Sequence, residues 1–176
     1  VYVSTPHTLH YQNSLDAIAA GKAVLCEKPL TVSPEEARTL MANARQSSVY
    51  LMEAMWTWLL PAVRKAKEWV DSGRIGKLLH IKADFGFPMP YGPDVRAYAR
   101  HLAGGCLLDM GIYPISFAWL FARKDPDALT VRSHLAPNGV DDDVLIQCDY
   151  GDCRASLSAS FRCKLQNWAY IIGDEG

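Results

Sequence analysis

Apolar residues follow two rhythms along this chain, and the change between them falls near Glu53. Before it, short continuous apolar runs alternate with stretches of helical period. Val1–Ser4, Lys22–Cys26 and Val49–Met52 read as strands, and the run Ala23-Val24-Leu25-Cys26 suits a strand buried on both faces. Thr5 as an N-cap and Pro6 as the first helical residue open a helix through Leu15, Ile18 and Ala19 that Gly21 ends. Ser33-Pro34-Glu35-Glu36 combines an N-cap serine, a first-turn proline and a capping-box glutamate, and Ala37, Leu40, Met41 and Ala44 then share one face. The order βαβαβ over residues 1–53 predicts a parallel sheet with right-handed crossovers.

After Glu53 the period changes. Pro61–Ser72 reads as an amphipathic helix stopped by Gly73. Leu79, Ile81, Ala83, Phe85 and Phe87 alternate with His80, Lys82 and Asp84, which predicts a half-buried strand. A Pro/Gly-rich loop covers Pro88–Pro93, and a helix is expected from about Gly105 to Phe121. Leu129–Leu135, Val144–Tyr150, Cys153–Phe161 and Trp168–Ile172 read as further strands, with a hairpin turn at Tyr150-Gly151-Asp152-Cys153. Residues 54–176 therefore predict a mostly antiparallel open sheet with helices on one face. The fold class is α/β followed by α+β. Arg132, His134, Gln147, Arg154, Ser156, Ser158 and Ser160 mark the open strand faces as a candidate sheet-to-sheet interface, pointing to a homodimer through the second sheet.

Composition adds exclusions. Apolar residues make up 49% and charged residues 21%, with a formal net charge of −1, so neither nucleic acid nor a membrane surface is an expected partner. Met55–Val63, interrupted by Pro61, is too short to cross a bilayer. Five cysteines, odd in number and without C-x-x-C spacing, point to reduced thiols and a cytoplasmic setting. His7 and His10 are spaced to share a helical face, but no third ligand stands nearby, and no metal is expected. Val1–Thr5 reads as a strand already under way without an initiator Met, and the chain stops on a turn after a strand, so the sequence reads as an internal fragment.

Two segments carry candidate chemistry. Glu27-Lys28-Pro29 closes the second strand, at the carboxyl edge where parallel sheets bind ligands. The charges there are either solvated loop residues or the working edge of a site. Gly104-Gly105 opens the helix that carries Asp109 and Tyr113 on one face, with Leu108, Ile112 and Trp119 on a neighbouring face suited to the core. Pro114 is expected to distort this helix. A carboxylate beside a phenol is either an acid/base site or a tyrosine anchored in a core by an aspartate. An ammonium beside a phenol favours its ionised form, so convergence of Lys28 on Tyr113 would sharpen the first reading. Spacing alone does not establish that convergence.

The chain resembles the glucose–fructose oxidoreductase/inositol dehydrogenase (Gfo/Idh/MocA) family. The resemblance rests on Ser4-Thr5-Pro6-His7 with His10, Glu27-Lys28-Pro29, Met52-Glu53-Ala54-Met55-Trp56-Thr57, Gly73-Arg74-Ile75-Gly76, Gly104-Gly105 through Tyr113, and Gly173-Asp174-Glu175-Gly176. The Glu-Ala-Met-Trp-Thr run and Tyr113 are similar to the dimeric dihydrodiol dehydrogenase and D-xylose 1-dehydrogenase branch. The resemblance implies an NAD(P)-dependent oxidoreductase, with residues 1–53 as the remainder of an N-terminal Rossmann domain and residues 54–176 as a C-terminal open-sheet domain, with NADP implied by the branch, acting on a small polyol, aldose or trans-dihydrodiol. It implies that Lys28 contacts cofactor and substrate, that Tyr113 is the general acid/base with Asp109 beside it, and that Thr5, Pro6, His7, His10 and Glu27 line the nicotinamide side of the cleft. Trp56, and Arg96 or Arg100 from the loop before Gly104, are candidate substrate contacts.

Two departures stand out. No G-x-G-x-x-G occurs in these residues. It is expected upstream of Val1, so the chain alone is expected to be inactive. Trp58 stands where the branch usually carries arginine. The alternative reading is a non-catalytic nucleotide- or sugar-binding member, or a dimerisation module.

Overall fold

The computed structural model describes residues 1–176. The first sheet is parallel, in the order β1 (Tyr2–Val3), β2 (Val24–Cys26), β3 (Leu51–Glu53), with α1 (His10–Ala19) and α2 (Pro34–Gln46) as crossovers. Strands added in one direction by right-handed crossovers place both helices on one face. That face holds a core of Val3, Ala17, Ile18, Val24, Cys26, Leu40 and Ala44. Fully burying a leucine such as Leu40 stabilises by about 1.5–3 kcal/mol.

Several local expectations change. β2 is not buried on both faces: Val24 and Cys26 point into the helices, while Leu25 and its neighbour Tyr2 point outward and are exposed. Met41 is exposed beside the buried Leu40. Pro6 opens a 3₁₀ turn over His7–Leu9 before α1 begins, and the Thr5 hydroxyl donates to Asn13 Oδ1 (2.9 Å) in place of capping the helix. At α2, Ser33 Oγ accepts from the Glu36 amide (3.2 Å), as a capping box requires. The Glu36 carboxylate reaches back one residue further than the motif asks, to the Val32 amide (3.3 Å).

The second sheet runs β5 (Ala128–Leu135), β6 (Asp141–Asp149), β7 (Arg154–Ser160), β4 (Leu78–Gly86), β8 (Ala169–Gly173). Only the β4–β7 pairing is parallel. The β6–β7 hairpin closes with the Tyr150 amide on the Cys153 carbonyl (2.8 Å) and Gly151 at φ +82°, a left-handed conformation that glycine adopts without strain. β4 shows the expected alternation, with Ile81 and Ala83 buried and His80 and Lys82 exposed. The buried side packs against α4 (Ile112–Ala122) in a core that includes Ile81, Ala118, Phe121, Val144 and Leu157. The helix α3 (Pro61–Asp71) joins the two halves.

On the open face of the second sheet, Arg132, His134, Gln147, Arg154 and Ser156 are exposed. Ser160 is not among them. It is fully buried, and its hydroxyl donates to Asp143 Oδ2 (2.7 Å). Trp119 also departs from its expected core position: it is 46% exposed and stacks on Trp58 with ring centroids 5.9 Å apart. Unlike Met55–Val63, the helical segment Arg100–Ala122 is long and apolar enough, by length and composition alone, to cross a membrane. Here it is broken at Ala103 and Gly105, and its last turns pack Ala118 and Phe121 onto the sheet.

Candidate active site

Lys28 leaves the carboxyl end of β2 and crosses to the second half of the chain. Its Nζ donates to the Asp109 carboxylate (Oδ1, 2.8 Å) and to the Asp109 main-chain carbonyl (2.6 Å). Both side chains are mostly buried. The same ammonium lies 4.9 Å from the centre of the Tyr113 ring. Lys28, Asp109 and Tyr113 therefore converge, although 81 residues separate the first two. The Tyr113 hydroxyl accepts from Trp56 Nε1 (3.1 Å), and Phe85 packs edge-on against its ring at 5.0 Å. Asp109 is not the tyrosine's anchor. It grips Lys28, and Trp56 orients the phenol.

The local chain explains why Asp109 is free to do this. The expected helix opens as a π-helical turn over Leu107–Gly111 before α4 begins. Within a π turn the Asp109 carbonyl looks to the amide of residue 114, and within an α-helix the Met110 carbonyl looks to the same amide. Residue 114 is proline and has no N–H. The widened turn and Pro114 together leave a helix carbonyl without its usual donor, and the Lys28 ammonium fills that role.

A cleft of about 460 Å³ lies on the Lys28 side, lined by Ser4, Thr5, Pro6, His10, Glu27, Lys28, Arg96 and Asp109. Hydroxyls, the Glu27 carboxylate and the Lys28 ammonium at the carboxyl ends of β1 and β2, with the Arg96 guanidinium and the Asp109 carboxylate from the second half, suit the hydroxyls and carboxamide of a nicotinamide nucleoside. Glu27 is steadied from β1, where the Tyr2 hydroxyl donates to its carboxylate. Arg96 reaches this cleft, whereas Arg100 starts an exposed 3₁₀ turn and does not line it.

The two histidines are placed differently, His10 in the cleft lining and His7 outside it. His10 is fully buried at the cleft's base, with Nδ1 at 2.7 Å from the Pro29 carbonyl and Nε2 at 2.8 Å from the Thr5 carbonyl. It ties the two strand-end loops together. His7 lies behind the cleft, with Nδ1 3.3 Å from the Ala103 carbonyl and Nε2 unpartnered. Burial holds its imidazole below the ordinary value, against an opposing pull from that carbonyl.

A second, more apolar pocket of about 220 Å³ flanks Tyr113, with Leu60, Phe85, Phe117 and Trp168 among its walls and Asp84 and Asn167 as polar groups. The alternation of β4 placed Phe85 on the buried side. Nothing in the sequence placed Asn167 there, because its position depends on hydrogen bonds to the Gly86 and Asp84 backbone and side chain across the sheet. Trp58 points away from this pocket, toward Trp119.

Residues 63–176 match the GFO/IDH/MocA C-terminal domain. The chain belongs to the Gfo/Idh/MocA family. Residues 1–55 match the other half of the Gfo/Idh/MocA architecture, described as an oxidoreductase family with an NAD-binding Rossmann fold. Among relatives, mouse trans-1,2-dihydrobenzene-1,2-diol dehydrogenase is 39% identical over 99% of this chain and 53% of its own. The chain thus spans about half the length of the curated relatives it matches. Among solved structures, aldose-aldose oxidoreductase from Caulobacter crescentus, complexed with glycerol, superposes with a TM-score of 0.92 at 26% identity, covering 98% of this chain and 53% of that one. A 3-ketoreductase from Actinomadura kijaniata, complexed with TDP-benzene and NADP, gives a TM-score of 0.81 at 31% identity, covering 99% and 52%.

Proposed function

We propose that the intact protein is an NADP-dependent dehydrogenase of the Gfo/Idh/MocA family, acting at a hydroxyl carbon of a small polyol, aldose or trans-dihydrodiol. The observation that carries this reading is the placement of the Lys28 ammonium against Tyr113 by Asp109, across the two halves of the chain. Nicotinamide, when bound, supplies the hydride acceptor or donor. Tyr113 Oη takes the hydroxyl proton during oxidation and returns it during reduction. Lys28 stabilises negative charge developing at the phenol and the substrate oxygen, from a position that needs no rearrangement because Asp109 already holds it. Trp56 Nε1 keeps the phenol oxygen oriented. The apolar pocket beside Tyr113 gives the carbon skeleton of the substrate a wall to pack against.

The names of the relatives support a diol or sugar substrate, since mouse trans-1,2-dihydrobenzene-1,2-diol dehydrogenase and the Caulobacter aldose-aldose oxidoreductase are similar to this chain over nearly its whole length. The choice of NADP rests on the branch the chain resembles and is tested by presenting both nucleotides. Oxidation of a panel of polyols, aldoses and trans-dihydrodiols by the intact protein, followed by the absorbance of reduced nicotinamide, is expected to show turnover with NADP. Nucleotide binding without turnover on any member would favour a sensor. The reading places the protein in the cytoplasm, in keeping with five free thiols.

The open sheet favours assembly. Every residue of β5 is exposed, including Leu129, Val131 and Leu135, and an uncovered edge strand is a ready surface for a second copy. The proposed state is a homodimer through this sheet. Sedimentation equilibrium is expected to give twice the chain mass, and a monomer at all concentrations would refute it.

A further inference from the structure

The start of the helix that carries Asp109 and Tyr113 is not capped by its own chain. Its first residue, Cys106, makes no side-chain cap hydrogen bond. The Leu107 amide instead donates to Asp141 Oδ2 (2.6 Å), a carboxylate delivered from the first residue of β6 on the opposite side of the core. Helix starts leave free N–H groups and a partial positive charge, so a carboxylate there is favourable. The neighbouring residue is shaped to receive it. Gly105 has φ +142°, and a Cβ at that position would stand 2.4 Å from Asp141 Oδ1. The carboxylate is therefore seated directly on glycine backbone. The Cys106 thiol responds: burial first, and then the Asp141 charge, push it well above the ordinary thiol range.

The next two carboxylates on β6 are engaged elsewhere. Asp142 Oδ1 lies 2.7 Å from His134 Nδ1, and Asp143 Oδ2 accepts from Ser160 (2.7 Å). Asp141 alone of the three reaches the helix. From Leu107 the connection to the site is short. The Asp109 amide donates to the Gly105 carbonyl (3.2 Å), and Asp109 holds Lys28 through both its carbonyl and its carboxylate.

We propose that Asp141 is a positioning residue for the reaction: by fixing the helix start at Gly105–Leu107, it sets the reach of Asp109 to Lys28 and the placement of Tyr113. The proposal rests on the reading of Lys28, Asp109 and Tyr113 as the site. Displacements on the order of 1 Å at a reacting group lower turnover by about 100-fold, so loss of the anchor is expected to act on kcat. The nucleotide cleft is lined mainly by residues of the first half, so KM for NADP should barely move.

The test compares Asp141→Ala, Asp141→Asn and Tyr113→Phe in the intact protein, with the panel compound that turns over fastest. Turnover is read together with KM for NADP and amide exchange over residues 105–113. Asp141→Ala is expected to lower kcat by about 10- to 100-fold, with KM for NADP within about twofold of wild type, and to speed exchange at the Leu107 amide. Asp141→Asn, which keeps an oxygen for that amide, is expected to recover most of kcat. If Asp141→Ala does not fold, Asp141→Ser replaces it, since its hydroxyl is too short to reach Leu107, and the same loss is expected. Wild-type kcat in folded Asp141→Ala or Asp141→Ser overturns the proposal, as does an equal loss in Asp141→Asn. Wild-type turnover in Tyr113→Phe would instead overturn the reading of the site, while the exchange data still judge the anchor.

Discussion

Replacing Asp109 by alanine removes one partner of an ion pair that bridges the two halves of the protein. The side chains of Lys28 and Asp109 are only 12% and 19% exposed. Stripping one partner from a fully buried pair costs about 3–5 kcal/mol, because the other charge is left uncompensated. Here the Asp109 carbonyl remains 2.6 Å from Lys28 Nζ, and a hydrogen bond to a charged group contributes about 1.5–3 kcal/mol. The difference leaves about 2 kcal/mol for Asp109→Ala. Asp109→Asn keeps an oxygen toward the ammonium and should lose about 1 kcal/mol. Urea unfolding of the intact protein reads this directly. With a slope of about 2 kcal/mol/M, the midpoint should fall by about 1 M for the alanine variant. Lys28→Met leaves the carboxylate unpaired and should also destabilise. The double variant should be less destabilised than the sum of the two, with a coupling of about 2 kcal/mol. An unchanged midpoint for Asp109→Ala, or strict additivity in the cycle, would refute the claim that this pair holds the halves in register.

Trp56→Phe removes the only donor bonded to the Tyr113 hydroxyl while keeping the aromatic contact, and turnover should fall about tenfold with little change in the unfolding midpoint; a midpoint loss with full turnover would argue for a packing role alone. His7 is held below its ordinary value of 6.5 by burial, so the unfolded chain protonates first as pH falls. Its contribution to stability is therefore complete above about pH 6.5 and declines below it, and His7→Asn should flatten the urea midpoint between pH 7.5 and 5.5; an identical slope in the variant would contradict this.

Local pattern carried much of the architecture. The capping box at Ser33, the alternation of β4 and the turn at Gly151 each depend on neighbours within a few residues, and each is visible in the sequence. The insertion of β4 between β7 and β8 is a long-range pairing with no local signal. Leu25 misled because four apolar residues in a row do not say which face a helix will cover. At the site, residue types were legible and their partners were not. Lys28, Asp109 and Tyr113 stood out, yet the grip of Asp109 on Lys28 depends on a π turn and on Pro114 lacking a donor. Pro114 was a signal for distortion, but its consequence for the Asp109 carbonyl needed the register of the turn. His10 was legible as a cleft residue, but its contacts with the Pro29 and Thr5 carbonyls were not, because they depend on how the two strand-end loops meet.

The central claim is that Tyr113 moves the proton in a site completed by Lys28. Turnover of Tyr113→Phe in the intact protein, with NADPH binding and the unfolding midpoint measured alongside, tests it most directly. The account predicts a loss of about 10²- to 10⁴-fold in kcat with nucleotide binding and stability preserved. Turnover within a few fold of wild type would contradict it.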